Sequence, residues 1–261
     1  MQRSNNTSLT SRSMAAGCLG FLLAGSTAFA DALVMEPAQI NLSASHPVSE
    51  LKFRNDSADE TTLNFEVSEW QQDGDREWFS LSRRLIVVPE RVTLQAGESG
   101  KVRVSLRLSG PWWEEEAFKI MVTQTARIPD VGDKAGHTSG NRMIRPSSVP
   151  VFLLPPGKAN PRLAWSFERN SLGAVVLSAR NDGKGHIRLN SANLLGPAGQ
   201  AIQKPSMSDV ILPGGARSWE FASEVAAGTW HLIADTDAGP VRVQFELRPD
   251  NSAERALTFS Q

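Results

Sequence analysis

The chain has a single cysteine, Cys18, and it lies in an N-terminal segment that reads as a secretory signal. Once that segment is removed, no disulfide can form and no thiolate is available as a nucleophile or metal ligand. Long apolar runs are missing too. The run from Met14 to Gly25 is about 12 residues, too short to span a bilayer. No second stretch reaches spanning length, so membrane insertion is not expected. There is no long basic block, and the formal charge of −1 becomes −3 when Arg3 and Arg12 leave with the signal. Nucleic acid is therefore not an expected partner. The four histidines, His46, His137, His186 and His231, lack metal-ligand spacing. Gly-x-Ser-x-Gly, P-loop and His-Glu-x-x-His patterns are absent. The reading is a non-enzyme with no catalytic residue, no metal and no cofactor. Finally, no segment keeps a 3.6-residue apolar period over several turns, which argues against helices.

What is present starts with the signal. Arg3 and Arg12 form its basic region, and Ala28-Phe29-Ala30 supplies small residues for cleavage. Residues 1–30 are read as the signal peptide, with the mature chain starting near Asp31. Cys18 lies inside the apolar run rather than at its end, which speaks against a lipid anchor. The remaining 231 residues must be stabilised by apolar cores alone, which is feasible for one large or two ordinary domains.

Short alternating segments recur, separated by turn residues. Strands are expected at Gln39 to Leu42, Leu51 to Arg54, Thr62 to Trp70, Leu85 to Val88, Val102 to Leu108, Ala117 to Gln124 and Val149 to Leu153. In the second half they are expected at Arg162 to Phe167, Ala174 to Arg180, Ile187 to Leu194, Ser218 to Phe221, Trp230 to Ala234 and Val241 to Leu247. Asn55-Asp-Ser, Gln95-Ala-Gly-Glu, Asn181-Asp-Gly, Leu195-Gly-Pro and Pro213-Gly-Gly are turn signals. This pattern predicts an all-β protein of two Ig-like antiparallel β-sandwich domains of about seven strands each. The first domain spans 31–155 and the second 161–250. A proline-rich linker at 156–160 joins them, and a polar tail occupies 251–261. Residues 126–141 have no strand pattern and read as a loop. No short-period repeat relates the halves.

The segment from Arg142 to Pro155 ends the first domain. Val149, Val151 and Leu153 alternate as a strand face does, while Pro146 and Pro150 disfavour a central strand. The segment therefore reads as an exposed edge strand near 142–154. Such an edge either closes a sheet and runs into the linker, or is kept to pair with another chain.

Taken in order, several motifs resemble the periplasmic chaperones of chaperone–usher pili. These are Leu33-Val-Met-Glu-Pro-Ala-Gln-Ile-Asn-Leu, Leu51-Lys-Phe-Arg-Asn-Asp-Ser, Val67-Ser-Glu-Trp-Gln-Gln-Asp-Gly and Leu85-Ile-Val-Val-Pro-Glu. Leu94-Gln-Ala-Gly-Glu, Val102-Arg-Val, Glu115-Glu-Ala-Phe-Lys-Ile, Val149-Pro-Val-Phe-Leu-Leu-Pro and Asn181-Asp-Gly-Lys-Gly-His-Ile-Arg-Leu complete the set. The resemblance runs from Leu33 to Leu247. It implies two domains set at an angle with an interdomain cleft, a periplasmic location, pilin subunits as partners, and delivery to an outer-membrane usher. It implies that Met143, Ile144, Val149, Val151 and Leu153 form a strand lent to the subunit, a mode known as donor-strand complementation. An exposed donor edge also allows a self-capping homodimer. In the family a first-strand Arg and a last-strand Lys hold the subunit's terminal carboxylate. Here Gln39 and Pro150 stand at those positions, and neither is a cation. Arg54, Arg142, Arg145 and Lys158 are the candidate substitutes. Arg142 and Arg145 read equally well as solvated charges that guard an edge.

Trp112-Trp113 beside Glu114-Glu115-Glu116 is the one unusual cluster. Neighbouring strand residues face opposite ways. Either both rings close the end of a sandwich, or one ring is exposed and suits a protein or sugar partner. The second alternative describes a two-domain envelope protein that binds glycan or another protein through this patch. Asn41-Leu-Ser and Asn55-Asp-Ser fit glycosylation acceptors but are read as turns.

Overall fold

The computed structural model describes residues 33–107, 112–127, 141–143, 146–170, 174–199, 201–204, 209–221, 227–247, 254–255 and 257–259. None of these is helical. The first eleven strands are β1 (Leu33–Glu36), β2 (Ile40–Leu42), β3 (Val48–Asn55), β4 (Thr61–Asp73), β5 (Arg76–Leu81), β6 (Leu85–Val88), β7 (Arg91–Leu94), β8 (Ser99–Leu106), β9 (Glu116–Arg127), β10 (Asn141–Met143) and β11 (Ser147–Leu153). The rest are β12 (Leu163–Arg169), β13 (Val175–Asn181), β14 (Ile187–Leu195), β15 (Ala201–Lys204), β16 (Asp209–Ile211), β17 (Ala216–Phe221), β18 (Gly228–Thr236), β19 (Val241–Leu247), β20 (Glu254–Arg255) and β21 (Leu257–Phe259).

These strands build two sandwiches. In the first, a sheet ordered β1-β3-β8-β6 faces one ordered β2-β11-β9-β4-β5, with β10 added to β9 and β7 to β4. In the second, β17-β13-β12-β20 faces β15-β14-β18-β19-β21, with β16 added to β14. The named strands pair antiparallel throughout except β2 with β11, which run parallel. Period-two patterning explains the layers. In β3, Leu51, Phe53 and Asn55 are buried, while Glu50, Lys52 and Arg54 are exposed. Leu51, Phe53, Phe65, Val104, Phe118, Ile120 and Val151 belong to the first core. Trp165, Phe167, Leu177, Leu194, Trp230 and Phe245 belong to the second. Each such side chain contributes roughly 1.5–3 kcal/mol by leaving water.

One device recurs in both sandwiches. Asn55 ends β3 and Asn181 ends β13, and both are fully buried. Asn55 Oδ1 accepts from the Ser57 amide, and its Nδ2 donates to the carbonyls of Asp59 and Gln95. Asn181 Oδ1 accepts from the Gly183 amide, and its Nδ2 donates to the carbonyls of Gly185 and Ile211. Each side chain thus pins its own turn and ties it to a distant segment. The halves share this corner as well as their strand content. Asn41 lies in β2 rather than in a turn; of the two glycosylation-like sites only Asn55 is a turn.

The connector between the sandwiches is tethered. Asn160 O accepts from the Lys184 amide, and Arg162 O accepts from the Asp182 amide. A Cβ at Gly185 would lie 2.0 Å from the Ala159 carbonyl oxygen, so only glycine lets the turn approach this closely.

Candidate functional site

β11 pairs with β9 from Ser147↔Val122 to Leu153↔Glu116. On its other side β2 joins only at Val151↔Ile40, Phe152↔Asn41 and Leu153↔Leu42. The expected exposed edge is therefore corrected: from Val151 onward β11 is an interior strand. Only Ser147 to Pro150 are unpaired on that side among the described residues. The physical reason is that the chain changes sheets after Pro37, leaving β3 at Glu36 and adding Ile40–Leu42 to β11. Pro150 sits where the ladder to β2 has not begun, the kind of place where a missing donor is tolerated.

The side chains of Val149, Val151 and Leu153 point into the first core and are buried. Their apolar face belongs to this chain's own sandwich and is not offered outward. β10 runs along β9 beyond β11, with Met143 opposite Thr125 and Arg142 opposite Ala126. Ile144 and Arg145 lie outside the described residues.

The outward face of the large sheet meets the second sandwich. Trp70, Ala117 and Phe152 cluster there with Val210 and Leu212. The imidazole of His186 stacks on Phe152 with ring centres 3.6 Å apart. The buried Glu115 carboxylate accepts from both the His186 amide (3.0 Å) and its Nδ1 (2.7 Å). Gln72 Nε2 donates to Val210 O at 3.0 Å, and its Oε1 accepts from the Leu212 amide at 2.9 Å. One side chain thereby imitates a strand ladder. Next to it, Gly74 and Gly215 form a parallel bridge, with the Ala216 amide donating to Gly74 O at 2.8 Å. A Cβ on Gly215 would come within 2.3 Å of Gln72 Oε1, so glycine is required for this approach. Arg217 pairs with Glu77 across the same junction, and Arg188 donates to Gln39 Oε1 at 2.9 Å.

The candidate cations separate clearly. Arg54 lies on the other sheet of the first sandwich and pairs with Asp56 at 2.6 Å; that hydrogen bond holds its pKa above the usual arginine value. Lys158 is exposed in the connector. Neither stands beside Pro150. Lys119 does, because the ladder places it directly opposite Pro150, and it faces the junction. Its Nζ lies 4.0 Å from the Trp70 ring centre and 4.8 Å from that of Phe79. Glu77 Oε2 is 3.8 Å away, too far for a hydrogen bond, and Nζ forms none among the described residues. Burial pushes its pKa down from the ordinary lysine value. Trp70 Nε1–H is buried and has no acceptor among the described residues. An ammonium held over aromatic rings without a hydrogen bond of its own suits a ligand oxygen that carries negative charge.

The tryptophan pair splits. Trp112 is buried at the end of the first core, donating Nε1–H to Leu154 O at 2.8 Å, with the Arg84 guanidinium over its ring. Trp113 is 76% exposed. Among the described residues no cluster of His, Cys, Asp or Glu is suited to a metal ion, and no helix is long and apolar enough to cross a membrane.

No family model and no curated protein matches the sequence. Solved structures do match. A chaperone–tip adhesion subunit pre-assembly complex, CsuC–CsuE, from archaic chaperone–usher Csu pili of Acinetobacter baumannii matches at 18% identity and a TM-score of 0.57, over 82% of this chain and 97% of that one. The chaperone DraB of E. coli matches at 16% identity and a TM-score of 0.52, over 87% and 95%. The Salmonella enterica SafA pilin in complex with the SafB chaperone matches at 13% identity and a TM-score of 0.52, over 88% and 96%.

The chain has the fold of the chaperone–usher pilus chaperones. Within this pilus-chaperone fold, Gln39 is occupied by Arg188 from the second sandwich, and Pro150 has Lys119 as its cross-strand neighbour. Reading the sequence alone missed Gln72, Glu115, Lys119 and His186. Lys119 appears there as the basic residue of the motif Glu115-Glu-Ala-Phe-Lys-Ile, without a site role; its position beside Pro150 depends on the β9–β11 register. Gln72 sits at an outward strand position, where a polar residue carries no signal.

Proposed function

We propose that the protein is a periplasmic chaperone that binds pilus subunits, stabilises them by donor-strand complementation, and delivers them to an outer-membrane usher. The observation that supports this most directly is the half-open edge of β11. Ser147 to Pro150 have a sheet on one side and nothing on the other among the described residues, and they lie next to an under-solvated cation. A guest strand added there gains backbone hydrogen bonds and covers an edge that proteins otherwise suppress. Because Val149, Val151 and Leu153 are used internally, Met143 and Ile144 are the remaining apolar candidates of the segment, and since strand neighbours face opposite ways one of the two enters the subunit's groove. Lys119 holds the subunit's terminal carboxylate, and Arg142 and Arg145 are further candidate cations for it. The signal-like N-terminus supports a periplasmic location.

The test is co-expression of residues 31–261 with pilins of the same genome, followed by purification from the periplasm. A one-to-one complex, lost on Lys119→Gln while the chaperone itself stays soluble, is the expected result. Pilins that stay soluble and never co-purify overturn the proposal. A second reading, an envelope protein that binds glycan or another protein, is favoured by one observation, the exposed ring of Trp113. It predicts that Trp113→Ala abolishes binding while Lys119→Gln leaves it intact.

A further inference from the structure

The face that carries Lys119 continues outward into an unusual strand. All six residues of β5 are exposed, and β5 pairs only with β4 among the described residues. The ladders set one row across this face: Pro150, Lys119, Ser68, Leu81. In the adjacent row Phe79 stands opposite Trp70. Leu81 is 76% exposed and Phe79 46%. Ser68, small and buried, lies in the row between Leu81 and Lys119, and Phe79 and Leu81 form an exposed apolar patch beside it. Its rim carries both signs of charge. Lys119 and Arg217 stand on one side, and Glu77 between them is satisfied by Arg217.

We infer that β5 reads the last side chain of the bound chain: Phe79 and Leu81 form a subsite for an apolar C-terminal residue. The inference rests on the reading that Lys119 holds a terminal carboxylate. A carboxylate at Nζ places its own side chain within reach of the Phe79 ring, which lies 4.8 Å from that nitrogen. An apolar side chain there covers Phe79 and Leu81 and takes their exposed area from water. A charged side chain of either sign meets a like charge on the rim, at Glu77 or at Lys119 and Arg217. A small polar one leaves both apolar residues wet.

The test uses the mature chain, residues 31–261, and fluorescent ten-residue peptides with one common alternating sequence. Each is made as free acid and as amide, ending in Phe, Leu, Ser or Lys, and affinities are read by anisotropy. The free acids ending in Phe or Leu are expected to bind at least tenfold more tightly than those ending in Ser or Lys. Phe79→Ser and, separately, Leu81→Ser are expected to shrink that preference to threefold or less. Both sites are exposed, so the variants should fold, and circular dichroism checks it. An acid-over-amide preference that ignores the last residue, or a preference that both variants leave unchanged, overturns the subsite alone. No difference between acids and amides overturns the carboxylate reading and the subsite with it.

Discussion

The two sandwiches end differently. The last long strand of the second, β19, is paired on both sides, by β18 and, over Arg242 to Gln244, by β21 from the C-terminal segment. The last strand of the first, β11, is covered by β2 only from Val151 onward and leaves Ser147 to Pro150 open among the described residues. Both strands place alternate apolar residues in a core, and both sandwiches use the same buried-asparagine corner. Core construction is therefore alike, and the contrast lies in what covers the edge. Edges are hazards that proteins usually blunt. One is closed by the chain's own tail, and the other is left half open beside the junction where Lys119 stands.

The largest expected effect tests the shared part. Val151→Asp and Val243→Asp each bury a carboxylate in a core and should each cost about 4 kcal/mol or more, measured by urea unfolding. Equal losses confirm that β11 and β19 serve their cores alike. A harmless Val151→Asp would mean that its face is free for a partner. Next, Asn55→Ala and Asn181→Ala each strand several buried backbone groups and should cost about 3 kcal/mol, each lowering the melting of its own sandwich in calorimetry.

Gln72→Ala should cost about 1–2 kcal/mol. Its signature is a wider separation between the melting of the two sandwiches, because the clamp to Val210 and Leu212 is one of several contacts that join them. Deleting residues 254–261 should change stability by under about 1 kcal/mol, since few residues pair there. It would open β19 as β11 is open, and sedimentation should then show new self-association. If it does not, edge exposure alone does not explain the behaviour of β11.

The smallest effect carries a sign. Burial lowers the Lys119 pKa in the folded chain, so the unfolded chain holds that proton more tightly. Stability from this group therefore rises with pH through the window just below the ordinary value of 10.5. Lys119→Met removes that slope. Its melting temperature near neutral pH should match or slightly exceed that of the parent chain, while subunit binding is lost.

Much of the fold was legible in the sequence. Val241–Leu247 alternates cleanly, Leu85–Val88 is a short apolar run, and both form strands with the expected bounds. β5 was invisible because a strand exposed on both faces has no alternation to read. β15 and β16 are too short to show a period. The site was less legible than the fold. Pro150 and Gln39 announce that cations are missing, but the replacement depends on pairings no linear pattern encodes. Lys119 comes beside Pro150 by register, and Arg188 reaches Gln39 from the other sandwich. Trp112 and Trp113 took opposite fates because only the first has a carbonyl, that of Leu154, to receive its N–H.

The ending of β2 at Val151 has a further consequence. In the proposed function it acts as a depth gauge. A strand sliding along β11 from the Ser147 end is stopped by the chain's own Ile40 after four residues, roughly 13 Å. The stop counts residues without regard to their identity, so a guest seated against it arrives with fixed parity, and a slip of one would turn its apolar side to water. On that proposal, the depth to which a guest strand enters is set before its side chains are read.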